Sequence, residues 1–138
     1  MENIMIINDK TSFREGLKKL LELKYGRFFD IIGTDSKQFR YENKDVPRLI
    51  IIERISNSKI ERFLIEMRKK GAKVVLLGLK PDNIQSYIEL DLFDGFLLKN
   101  MPTNQLLTVL EEILEHDDVY VHPDIGYFFL KKLQKKNN

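Results

Sequence analysis

The chain has no cysteine, so it can build neither a disulfide framework nor a thiolate metal site. That absence fits a reducing compartment, and a cytoplasmic location is the expectation. Histidine is nearly absent too. His116 and His122 lack partners at metal-ligand spacing and read as surface or loop residues. No apolar run is long enough to cross a bilayer; the first, residues 4–7, is also too short for a signal peptide. No membrane partner is expected. No internal repeat or low-complexity segment interrupts the pattern.

Charge of one sign is also lacking. The formal net charge is +2, from 23 basic and 21 acidic residues, and Lys131, Lys132, Lys135 and Lys136 supply four of the positives. Without those four the body carries 19 basic against 21 acidic residues, which excludes a basic nucleic-acid-binding body. The lysine cluster reads as a solvated helix end. What remains is 138 residues with 43% hydrophobic and 32% charged side chains, enough for one soluble domain with its own core.

The apolar pattern alternates between continuous runs and helical stripes. Residues 3–7 form a β-branched run that predicts a buried strand. Ser12 and Glu15 have the spacing of a capping box, followed by Phe13, Leu17, Leu20 and Leu21 at helical intervals and Gly26 as a stop. Residues 28–32 predict a second strand ended by Gly33, and residues 36–42 a short helix. Residues 49–52 are an unbroken strand. Ile60, Phe63, Leu64 and Met67 make the next helical stripe, stopped by Lys69-Lys70-Gly71. Residues 74–77 predict a fourth strand, and Pro81 opens a helix carrying Ile84, Tyr87 and Ile88. Residues 95–98 predict a fifth strand. Pro102 opens a helix whose Leu106, Leu107, Val109, Leu110, Ile113 and Leu114 make it apolar over more than one face. That breadth fits either a central helix or a contact surface. Residues 119–121 are extended, and Ile125, Phe128, Phe129 and Leu133 predict a further short helix. Alternation of this kind predicts an α/β fold: a doubly wound five-stranded parallel sheet with an extra C-terminal helix.

In such folds the working site lies beyond the carboxyl ends of the strands. The first strand ends in Asn8 and Asp9, the third in Glu53, the fourth in Gly78 and the fifth in Lys99. Two acids, an amide and a lysine therefore converge from distant positions, although plain solvation also places charges at strand ends. No Gly-rich phosphate loop follows the first strand, where Asp9-Lys10-Thr11-Ser12 stands instead. This weighs against a phosphotransfer enzyme of flavodoxin-like fold.

Several stretches resemble receiver domains of NarL/LuxR-type response regulators. Asn8-Asp9 followed by Phe13-Arg14-Glu15-Gly16-Leu17 is similar to the acidic pair and helix start of that family. Pro47 to Glu53 resembles the strand ending in the phosphoacceptor aspartate, and Lys73 to Gly78 the strand ending in the switch threonine or serine. Asp94 to Lys99 resembles the fifth-strand motif with its lysine, Phe96 falling on the switch aromatic position. Tyr120-Val121-His122-Pro123 is similar to the segment after the fifth helix. The resemblance covers nearly the whole chain. It implies a (βα)5 flavodoxin- and CheY-like receiver fold over residues 1–121. Residues 122–138 would form a C-terminal helix or linker start leading to a DNA-binding domain.

The departures from that family define the functional expectation. Asn8 offers a metal an oxygen but no charge, so only weak Mg²⁺ binding is expected, at Asp9 and Glu53. Glu53 carries its carboxylate about 1.5 Å further out than an aspartate would. Misplacement by about 1 Å can cost on the order of 100-fold in a transfer reaction. Gly78 has no hydroxyl, and Arg54-Ile55-Ser56-Asn57-Ser58 is shorter than the usual loop after the acceptor. Lys99 survives, free to pair with Glu53 or Asp9. The expectation is a pseudo-receiver, not an enzyme and without a resident cofactor. It would act in signal transduction and transcription regulation through dimerisation or contact with another signalling protein. DNA would be reached only through a further domain. A stand-alone adaptor and a conventional phosphorylatable receiver are the alternatives.

Overall fold

Isoleucine and leucine build the centre of the molecule. In the computed structural model, which describes residues 2–40, 45–78, 90–116 and 119–136, β1 spans Glu2–Ile7 and β3 spans Leu49–Ile52. Ile4, Ile6, Ile7 and all four residues of β3 are buried, because helices cover both sheet faces. The other strands are β2 (Phe29–Thr34), β4 (Lys73–Gly78), β5 (Gly95–Leu98) and β6 (Tyr120–Val121). All neighbouring pairs are parallel, in the order β2-β1-β3-β4-β5-β6. The sheet thus has six strands where five were expected. The extended piece before the last helix pairs with β5 through Gly95↔Tyr120 and Phe96↔Val121.

Four helices are described: α1 (Thr11–Tyr25), α2 (Ser58–Lys69), α3 (Thr103–Glu115) and α4 (Pro123–Lys136). The crossovers from β1 and β3 run in opposite directions, so α1 and α2 cover opposite faces. α3 lies beside α1, tied to it by Lys24 Nζ and Glu111 Oε2 at 2.9 Å. α2 starts where the Asn57 side chain accepts the Ile60 N–H, and buries Ile60, Phe63, Leu64 and Met67. It is followed by Gly71, whose φ of +105° lies in the left-handed region that favours glycine. Successive residues of β5 face opposite sides. A Cβ at Gly95 would stand 2.6 Å from Ile113 Cδ1 of α3, while Phe96 meets Phe129 of α4, ring centroids 5.4 Å apart.

Several local expectations are corrected. Ser12 and Glu15 do not form a capping box: α1 begins at Thr11, its N-cap is Lys10, and no side chain caps it. Gly33 does not end β2 but lies inside it. A Cβ there would press on Arg14 Cγ and Cδ at 3.2 and 3.3 Å, and Arg14 is buried. Residues 36–38 form a turn and 39–40 irregular chain instead of the start of a helix, with residues 41 and 42 outside the described residues. Asp35 Oδ1 accepts the Gln38 N–H at 2.6 Å, and Phe39 drops into the core against Phe63 at 4.8 Å. The helix expected from Pro81 lies outside the described residues. On α3 the apolar breadth goes into the core: Leu106, Val109, Leu110, Ile113 and Leu114 are buried and Leu107 packs against them. On α4 Ile125 is fully buried, but Leu133 is exposed.

Candidate functional site

The carboxyl ends of β1 and β3 bring Asn8, Asp9 and Glu53 to one cleft. Ile7, Ser36, Arg54 and Ser56 complete its lining. The cleft holds only about 10 Å³, close to the least that admits one water. β5 delivers Lys99 next to it. The Lys99 ammonium pairs with Glu53 Oε1, and both side chains are largely shielded from solvent. The same ammonium stands 4.3 Å from the centre of the Phe13 ring, within cation–π range. Its backbone N–H donates to the Gly78 carbonyl at 2.7 Å, which joins the ends of β4 and β5. Residue 78 contributes a backbone oxygen and no hydroxyl. Phe96 is buried in an aromatic row between Phe93 and Phe129, each 5.4 Å away.

Asp9 turns towards the chain segment after β2. Its Oδ1 accepts the Ser36 backbone N–H at 2.7 Å. That bond above all holds the carboxyl below its ordinary range, helped by the Ser36 side chain and the charges of Arg54 and Lys37, against a smaller opposing effect of burial. Asn8 is buried, and its Oδ1 accepts the Lys10 N–H at 2.9 Å. Its backbone carbonyl accepts from Arg14 Nη1 at 2.7 Å, which gives the buried guanidinium a partner.

A magnesium ion would meet two carboxylates and one amide here, with one oxygen of each already engaged. One Asp9 oxygen holds Ser36, one Glu53 oxygen holds Lys99, and the Asn8 side-chain oxygen holds Lys10. Lys99 beside Glu53 and the uncharged amide at position 8 lower the attraction of the site for a dication. Among the described residues no group of three or more acidic, histidine or cysteine side chains is placed to hold a metal.

The five strand-end residues singled out in the sequence are thus drawn together, with the pairing choice of Lys99 resolved in favour of Glu53. Phe13, Ser36, Arg54 and Ser56 were not singled out. Arg54 follows Glu53 directly, and Phe13 belongs to the Phe-Arg-Glu-Gly-Leu stretch, so both had a signal. Ser36 had none, since only the fold brings it to Asp9. A larger cleft of about 500 Å³ lies at the opposite pole, by the start of β4. Arg68 there is tied to Asp94 at 3.0 Å, and Asp94 also accepts the Val74 N–H. Its place at the amino ends of the strands sets it apart from the site position of this topology.

No family model matches the chain. Transcriptional regulatory protein DegU of Brevibacillus brevis is 26% identical over 145 residues, spanning 98% of this chain and 59% of that protein. The chain therefore spans about three fifths of the length of this curated relative. Among solved structures, a LuxR family DNA-binding response regulator from Silicibacter pomeroyi aligns with a TM-score of 0.63 at 22% identity, over 89% of this chain and 98% of that one. The response regulator ChrA of a heme-sensing two-component system aligns with a TM-score of 0.61 at 17% identity, over 96% and 65%. RcsB, solved as two dimers bound to two parallel DNAs, aligns with a TM-score of 0.61 at 14% identity, over 91% and 66%. The chain has the α/β fold of these response regulators, and its similarity to DegU supports a receiver domain. No helix among the described residues is long and apolar enough to cross a membrane.

Proposed function

We propose that this chain is a receiver domain that signals without aspartyl phosphorylation, held in one state by the ion pair between Glu53 and Lys99. The observation that carries the reading is that pair, together with the commitment of Asp9 to the Ser36 backbone. A phosphoacceptor must present a free carboxylate oxygen in line with the donor and beside a metal. Here the acceptor position is a glutamate whose Oε1 is paired with the lysine, and Asp9 at the metal position anchors a loop.

Glu53 keeps a negative charge where a transferred phosphoryl group would stand, with less charge and fewer acceptor oxygens. Lys99 answers that charge, and the Phe13 ring holds Lys99 from the other side. Input by chemistry is replaced by a fixed internal contact. Output then passes through protein contact, with a second copy or another signalling protein, in transcription regulation. Any DNA contact would belong to a further domain.

The test is intact mass after incubation with a small acyl-phosphate donor and Mg²⁺, with Glu53→Asp in parallel. The wild type is expected to gain no phosphoryl group. A gain confined to Glu53→Asp assigns the loss to that side chain. A gain in the wild type refutes the reading and returns the domain to the switchable class.

A further inference from the structure

We propose that the outward face of α4 docks an acidic amphipathic helix of another protein. This goes beyond the reading above, and neither proposal depends on the other. α4 has two apolar sides. Ile125 and Phe129 face the body, the first with no exposure and the second against Phe96. Tyr127, Leu130 and Leu133 follow at three-residue intervals in a row that winds from the side opposite Ile125 towards the end of the packed stripe, 62%, 54% and 58% exposed. Val121 of the edge strand β6 lies beside the first turn, 3.7 Å from where a Gly126 Cβ would stand, and is itself exposed. Most of the large exposed apolar side chains among the described residues belong to α4 and the adjoining 119–121 segment. Clustered exposure of this kind marks interaction sites, whereas scattered exposure does not.

The charges along the Tyr127 flank of the row select the partner. Lys131 stands 5.5 Å from the Tyr127 ring and Lys132 5.0 Å from the Phe128 ring, and Lys135 is exposed one turn further on. The one acid of the helix, Asp124, lies in its first turn. Pairing this face with itself would set lysine against lysine, the arrangement that flanking charges use to prevent self-association. A helix carrying leucines on one side and glutamates at the flanks meets both demands. A lipid surface fits less well. Ile125 and Phe129 are spent on the body, so the helix cannot sink its whole apolar side into a bilayer without leaving the domain. A nucleic-acid strand would use aromatic rings for stacking, whereas this row ends in two leucines.

The experiment is fluorescence anisotropy of the full chain with a synthetic helical peptide bearing leucines on one face and glutamates on the other. A scrambled peptide of the same composition and a lysine-for-glutamate peptide run alongside. Binding is expected to the ordered acidic peptide and to fall about tenfold or more in Leu130→Asp/Leu133→Asp. Leu23→Asp, on an exposed leucine of α1, should leave it unchanged. Lys131→Glu/Lys135→Glu should transfer the preference to the basic peptide. All replaced side chains are exposed, so unchanged urea midpoints verify folding. Four results would overturn the proposal: equal affinity for the scrambled peptide, no effect of the leucine pair, tighter binding to phosphatidylserine vesicles or duplex DNA, or self-association that Leu130→Asp abolishes.

Discussion

Replacing Lys99 by methionine keeps the aliphatic stem and removes the charge that Glu53 and Phe13 share. The lysine side chain is 11% exposed and the glutamate 28%, so the pair lies between two known regimes. Exposed pairs are worth about 0.2–1 kcal/mol. Breaking a buried pair by removing one partner costs about 3–5 kcal/mol, because the other charge is left uncompensated. The ring contact at 4.3 Å adds on the order of 1 kcal/mol. Lys99→Met is therefore expected to destabilise the domain by about 2 kcal/mol. Glu53→Gln should cost less, since its amide keeps a hydrogen-bond acceptor for the lysine. In the double variant the two losses should fall short of adding, with a coupling of about 1 kcal/mol. Urea denaturation of the four proteins supplies the cycle, and Lys19→Met controls for loss of an exposed lysine. A coupling under about 0.3 kcal/mol, or a Lys99→Met loss no larger than that of the control, would refute the claim that this pair holds the domain in one state.

Three further outcomes follow from the packing and the site. Asp9 has a depressed folded pKa, so its contribution is present above its unfolded value of about 3.9 and is lost as pH falls through the folded one; the urea-midpoint gap between wild type and Asp9→Asn should be full at neutral pH and close in acid, and a pH-independent gap contradicts it. Gly95→Ala should cost about 1–3 kcal/mol because its Cβ meets Ile113 Cδ1, and adding Ile113→Val, which removes that methyl, should recover part of the loss in the same denaturation assay. Phe129→Ala should cost about 2 kcal/mol through the lost contact with Phe96, while Tyr127→Ala on the exposed side should stay within about 0.5 kcal/mol, and equal midpoints for the two would contradict the described docking of α4.

The parts of the fold that were legible are those where one rule decides. β3 and β5 had their bounds read correctly because every side chain in them is buried, so hydrophobicity needs no periodicity to be recognised. α2 was legible because its four buried residues and its glycine stop agree. The misreadings arose where tertiary contacts outweigh local chemistry. Gly33 looked like punctuation, but its role is to leave room for Arg14, a residue no apolar stripe would include. The segment after β2 looked weakly helical, but two carboxylates, Asp9 and Asp35, take its backbone N–H groups. The convergence of the strand-end residues was legible from topology alone. Their pairing was not, since sequence left Lys99 equally free to meet either acid.

The departures at the site are consistent with one another in charge. A site holding three carboxylates against one lysine carries excess negative charge, which a divalent ion offsets. Here Asn8 has removed one carboxylate, Lys99 neutralises Glu53, and Asp9 is met by the Ser36 N–H with Arg54 and Lys37 nearby. The excess that would attract a dication is thereby reduced. On the proposed reading the two departures go together: with an amide at position 8, a longer acidic side chain can reach the lysine without competing with a metal. Glu53→Asp alone would restore the nucleophile's length and withdraw it from Lys99, yet leave the ion weakly held. Rebuilding both functions takes Asn8→Asp together with Glu53→Asp.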